Sequence, residues 1–133
     1  MTAEAATATL LIGTYPGRTD QVRHVRRAVA AHLAGCRAAD DAVLITSELA
    51  TNAILHSRSR GDHFTVRAHL HVDYVLIEVE DLGGPWRLRP SGDRPHGLNV
   101  IESLTGPDGW GIKTTDDGGR VVWGRLDLAA IGE

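Results

Sequence analysis

Ser47-Glu48-Leu49-Ala50-Thr51-Asn52-Ala53-Ile54-Leu55-His56 is the stretch on which the reading of this chain turns. It belongs to a helical pattern that Asp40 opens and that runs to about Ser57. At 100° per residue, Leu44, Ile45, Leu49 and Leu55 fall within one arc about 140° wide, the expected core stripe. Glu48, Asn52 and His56 are spaced i, i+4, i+8 and fall inside that same arc. A carboxylate and an amide on an apolar face are costly to bury unless they are paired or hydrogen-bonded. From these residues alone two readings stay open. They cap neighbouring backbone in a small structural network, or the face floors a polar cavity. In the second reading Glu48 acts as a base, Asn52 as a metal ligand and His56 as a positioning group.

Working outward, Thr7 to Thr14 reads as a first strand, broken by Tyr15-Pro16-Gly17. Thr19 or Asp20 then caps a helix to about Ala34, with Val22, Val25, Ala28 or Val29, and Leu33 on one side and Gly35 closing it. From His63 to Val72 apolar and polar residues alternate. Phe64, Val66, Ala68, Leu70 and Val72 take one face; His63, Thr65, Arg67, His69 and His71 take the other, as in a half-buried strand. Tyr74 to Asp81 pairs back across a turn at Asp73, with Val75, Ile77 and Val79 inward. Asp81 has their parity, so it is expected to point toward the core side. It is a turn aspartate or an acceptor at the bottom of a pocket, where Gly83 and Gly84 let a planar ligand approach the backbone. Pro95-His96-Gly97-Leu98 opens a short helix, whose first N–H groups suit an anion. A hairpin from Trp110 to Thr115 and Val121 to Leu128 ends the pattern. The sum is an α+β two-layer sandwich, with helices on one face of a mixed or antiparallel sheet.

The chain has 133 residues, 42% hydrophobic and 23% charged, which suits one globular domain. A net charge of −3 speaks against nucleic acid and anionic membranes as partners. One cysteine, Cys36, allows no internal disulfide and suits a reducing compartment. There is no apolar run of about 18 residues and no basic leader at the start, so a cytoplasmic location is expected. Neither a P-loop nor a G-x-G-x-x-G after a strand is present.

Helix Glu-x3-Asn-x3-His, a strand ending Asp-x-Gly-Gly, a loop and a Gly-Leu helix start follow one another in this order. The combination resembles the Bergerat-type nucleotide-binding fold of histidine-kinase catalytic domains, the Hsp90 chaperone, the MutL repair ATPase and DNA gyrase. That resemblance covers about residues 10–128, the expected domain core, and implies about five strands covered on one face by three helices. With Tyr15-Pro16-Gly17 ahead of it, the short form looks most like the bacterial anti-sigma-factor serine kinases and their stand-alone actinobacterial relatives. It implies ATP and Mg²⁺ as cofactors, Glu48 as general base and Asn52 as Mg²⁺ ligand. Asp81 would accept from the adenine amino group, beside Gly83 and Gly84. Gly97 and Leu98 would meet phosphate through backbone N–H groups, and His56 would line the cofactor site. The implied partners are an anti-anti-sigma protein of the STAS type, phosphorylated on serine, and a sequestered sigma factor. A homodimer is among the assemblies the resemblance allows.

The chain departs from the family pattern at Pro85 and Pro95, where glycines are common. It departs again at Val121, which aligns with a threonine that helps bind adenine through water. These departures favour an alternative, a non-catalytic nucleotide-dependent protein-binding module with a degenerate lid. The lid would run from Trp86 to His96, and its Arg87, Arg89 and Arg94 would meet phosphates or solvent. His63, His69 and His71 admit a metal reading, but no carboxylate or cysteine completes a ligand set in sequence. Arg18, Arg23, Arg26 and Arg27 form a basic helix face, either solvated or docking an acidic partner.

Overall fold

The computed structural model describes residues 8–84 and 96–128. The elements in order are β1 (Ala8–Pro16), a single 3₁₀ turn (Thr19–Gln21), α1 (Val22–His32), α2 (Ala39–His56), β2 (His63–Leu70), β3 (Tyr74–Asp81), α3 (His96–Thr105), β4 (Trp110–Thr114) and β5 (Arg120–Asp127). The sheet order is β1-β2-β3-β5-β4, and all four pairings are antiparallel. The three helices lie on one face, with α2 in the middle touching both α1 and α3. This is the α+β two-layer sandwich the sequence predicts. Of the predicted lid, Trp86 to Pro95, with Arg87, Arg89 and Arg94, lies outside the described residues, as do Pro85 and Thr7; its last residue, His96, opens α3.

The alternation in β2 and β3 works as expected. Phe64, Val66, Ala68, Val75, Ile77 and Val79 are buried against the helix layer, joined by Val122 and Leu126 of β5. Val72 is a correction: it is 87% exposed, because β2 stops at Leu70 and the turn closes through the His71 N–H to the Tyr74 carbonyl. The first strand also runs further than its Pro16 suggests. β1 is an edge strand, so the missing N–H of Pro16 breaks no ladder, and Pro16 still sits opposite His63. Tyr15 stacks on Phe64 across that pair at 5.8 Å between ring centroids. At Gly17 the strand leaves the sheet. A Cβ there would lie 1.8 Å from the Ser59 carbonyl oxygen, so only glycine permits the approach that lets Gly17 bond to Asp62 and Gly61.

The core face of α2 is rotated from the stripe read in sequence. Ile45 and Leu49 are buried, but Leu44 is 41% and Leu55 45% exposed. The buried face is completed by Ala42, Thr46, Ala50, Ala53 and Ile54. A helix wedged between two others above a sheet needs small residues where backbones come close, and the large aliphatic residues do not all mark the inside. Thr46 is tolerated there because its hydroxyl donates to the Ala42 carbonyl at 2.6 Å.

The rotation has a measurable consequence. Ile45→Ala should cost about 2–5 kcal/mol in chemical denaturation. Leu44→Ala should change stability by no more than about 0.5 kcal/mol. Equal losses would show that the sequence-derived stripe, not this one, faces the core.

Candidate functional site

Rotation of α2 places its polar line at the edge of the buried arc. Asn52 is 5% exposed, while Glu48 and His56 are half-buried. The Asn52 side-chain N–H₂ has no hydrogen-bond partner among the described residues. An unsatisfied buried amide N–H costs about 1–3 kcal/mol, and among the described residues none supplies the partner that a structural network would need.

Asp81 lies on the helix side, as its parity predicts, and is 3% exposed. One carboxylate oxygen, Oδ1, accepts the Gly83 N–H at 2.7 Å. The other, Oδ2, accepts from Arg120 through both Nε and Nη2, each at 3.3 Å. Arg120 also donates from Nη1 to the Gly84 carbonyl and from Nη2 to the His56 carbonyl, both at 3.2 Å. A single guanidinium thus ties together the end of α2, the end of β3 and the segment after it. Burial acts on both members of the pair, raising the Asp81 carboxyl and lowering Arg120, and the pairing offsets part of it.

Arg120 is the residue that reading the sequence missed. β3 and β5 pair with Asp81 opposite Arg120 and Glu80 opposite Val121. Facing residues of an antiparallel pair share a side, so Arg120 shares the side of Asp81 and Val121 shares that of Glu80. Val121, the presumed stand-in for the adenine-binding threonine, therefore faces away from Asp81. The one available signal was parity in β5: Val122 and Leu126 are inward, which puts Arg120 inward too.

The end of α2 is stitched to the same region by backbone. The Arg58 N–H donates to the Gly83 carbonyl at 2.8 Å, and the Leu82 N–H to the Ser59 hydroxyl at 2.9 Å. Gly83, at φ +80°, has a structural duty of its own. A Cβ would sit 2.1 Å from the Gly118 carbonyl oxygen, so its bareness serves packing against the β4–β5 turn. Likewise Gly84, at φ +101°, packs under the Arg58 side chain. These contacts give each glycine a packing role of its own. Gly97 and Leu98 lie in the first turn of α3, which packs on α2, and the Leu98 side chain is in the core.

The sheet's other face carries a separate network. Glu78, although buried, accepts from His69 at 2.6 Å and pairs with Arg67 and Lys113; Glu80 pairs with Arg67 at 2.7 Å. Burial would raise the Glu78 carboxyl, but hydrogen bonds from His69 and Lys113 hold it below its ordinary value. The three histidines have unrelated surroundings: His63 meets Asp62, His69 meets Glu78, and His71 stacks on Tyr74. Among the described residues, no cluster of histidine, cysteine, aspartate and glutamate is arranged to hold a metal ion. The basic face of α1 keeps Arg23, Arg26 and Arg27 exposed, with Arg18 paired to Asp20.

Three helices over an antiparallel sheet, with polar groups gathered where α2 and β3 end, define a Bergerat-type α+β domain. A family model described as the histidine kinase-like ATPase domain matches residues 15–115. The chain belongs to that family, and membership makes it an ATP-binding domain. No curated protein matches it. Among the described residues, no helix is long and apolar enough to cross a membrane.

The residues present suit such a ligand at both ends. Asn52 offers an amide oxygen to a hard cation and an unsatisfied N–H to a phosphate oxygen. Asp81 offers a buried acceptor, shared with Arg120.

His56 reports on this arrangement. Burial, and secondarily the charge of Arg120, lowers it from the ordinary 6.5. A lowered histidine resists protonation in the folded chain. Its contribution is present above about 6.5 and is lost as pH falls toward the folded value. NMR titration should place the His56 midpoint below the ordinary histidine value, and Arg120→Gln should raise it. An unmoved midpoint would remove Arg120 from its surroundings.

Proposed function

We propose that this domain is an ATP-dependent protein serine kinase of the anti-sigma type. It would phosphorylate a serine on an anti-anti-sigma partner of the STAS type and sequester a sigma factor. The observation that carries the reading is the buried Asn52 side-chain N–H₂, without a hydrogen-bond partner among the described residues and one turn from Glu48. Bound Mg²⁺-ATP would supply the phosphoryl group and the cationic charge that offsets it. Asn52 would hold the cation through its amide oxygen and a phosphate oxygen through its N–H. Glu48, half-buried at the edge of the helix layer, would accept the proton of the partner's serine hydroxyl. Asp81 would orient the base, and His56 would line the wall between them. Gly97 and Leu98 would offer first-turn N–H groups of α3 to phosphate.

A second reading, a nucleotide-dependent binding module without turnover, is favoured by one feature. The Asp81 carboxylate is already engaged by Arg120, which weakens its grip on a base.

Thermal unfolding tests the site first. Saturating Mg²⁺-ATP should stabilise the wild type by roughly 2.7 kcal/mol at a hundredfold excess over Kd, a rise of several degrees in Tm. Asn52→Ala should unfold no earlier than wild type without nucleotide, because it removes an unsatisfied amide, yet lose the nucleotide-dependent rise. A variant that loses stability but keeps the rise would make Asn52 structural. Glu48→Ala should keep the rise and abolish γ-phosphate transfer to a serine-bearing STAS partner. Absence of transfer by the wild type, with the rise intact, would decide for the second reading.

A further inference from the structure

We propose that Arg120 sets base selectivity in this domain by competing for Asp81, so that the site discriminates only weakly between 6-amino and 6-oxo purine nucleotides. The inference rests on the nucleotide reading of the site given above. It starts from hydrogen-bond capacity. A carboxylate has about four lone-pair positions. On Asp81 one is used by the Gly83 N–H and two by Arg120 Nε and Nη2. A base amino group would meet an acceptor with about one position left and with its charge already offset by a guanidinium.

Arg120 is not readily displaced to make room. It is 8% exposed, and its other donors satisfy the carbonyls of Gly84 and His56. Moving it would break its bonds to those two oxygens and to Asp81 together, a larger loss than one base hydrogen bond returns. The base therefore shares Asp81 with Arg120. Its 6-amino group gains little over a 6-oxo group, which cannot donate to Asp81 at all. Arg120 acts through Asp81, as a positioning residue, and the register of β3 against β5 fixes it there.

The test compares ADP with IDP, which carries oxygen in place of the 6-amino group, by calorimetric titration in Mg²⁺ buffer. Wild type should prefer ADP by no more than about threefold. Arg120→Gln, which frees one face of Asp81 without leaving it unpartnered, should prefer ADP by about tenfold or more, the size of one hydrogen bond to a charged acceptor. A purely structural Arg120 would move both affinities together and leave their ratio unchanged. If Arg120→Gln does not fold, Arg120→Lys makes the same comparison, since it keeps the charge and loses the two-donor grip; its ratio should lie above that of wild type. A strong ADP preference in wild type, or an unchanged ratio in the folded variant, overturns the inference while leaving the nucleotide site standing. Failure of wild type to bind either ligand overturns both.

Discussion

The packing of α2 against the sheet is the constraint on which the rest depends. Its close-packed face is made of Ala42, Thr46, Ala50 and Ala53 with Ile45, Leu49 and Ile54, so the helix can lie between α1 and α3 and still touch β3. That rotation is what turns Glu48, Asn52 and His56 to the rim of the core and Leu44 and Leu55 to solvent. Had the large aliphatic residues faced the sheet as a set, the polar line would have been driven inward with no partners to receive it.

The second joint is the buried pair of Asp81 and Arg120. Ion pairs of this kind contribute little net stability, since burial penalises both charges. What this one supplies is placement. By reaching the His56 and Gly84 carbonyls as well as Asp81, the guanidinium holds the last turn of α2 at the strand end. A close backbone contact at Gly83 fixes the same region against the β4–β5 turn. The site is thus built from the ends of elements, held by one side chain and a few backbone bonds, on a layer of apolar packing that leaves it no freedom of register. The two faces of the sheet divide the labour: the helix face holds this site, while the opposite face spends its charges on one another around Glu78.

Much of this was legible in the chain. Alternation located β2 and β3, and the parity of Val75, Ile77 and Val79 pointed Asp81 inward. Local pattern was enough because each of these features repeats within one element. Local pattern misleads where it is taken for burial. Val72 continues the alternation of β2 but falls in a turn, and Pro16 looks like a stop but ends an edge strand where its lost donor costs nothing.

What the sequence by itself determined was the order and type of the elements, the Glu48–Asn52–His56 line and the inward parity of Asp81. Helical and strand periods are short-range properties that nearest neighbours along the chain enforce. The tertiary structure alone decided which side of α2 is buried, because that depends on two flanking helices and a sheet competing for its surface. It alone set Arg120 opposite Asp81 and turned Val121 away. β3 and β5 are separated by α3 and β4, and register between such strands is fixed by long-range pairing and by the core that both must cover.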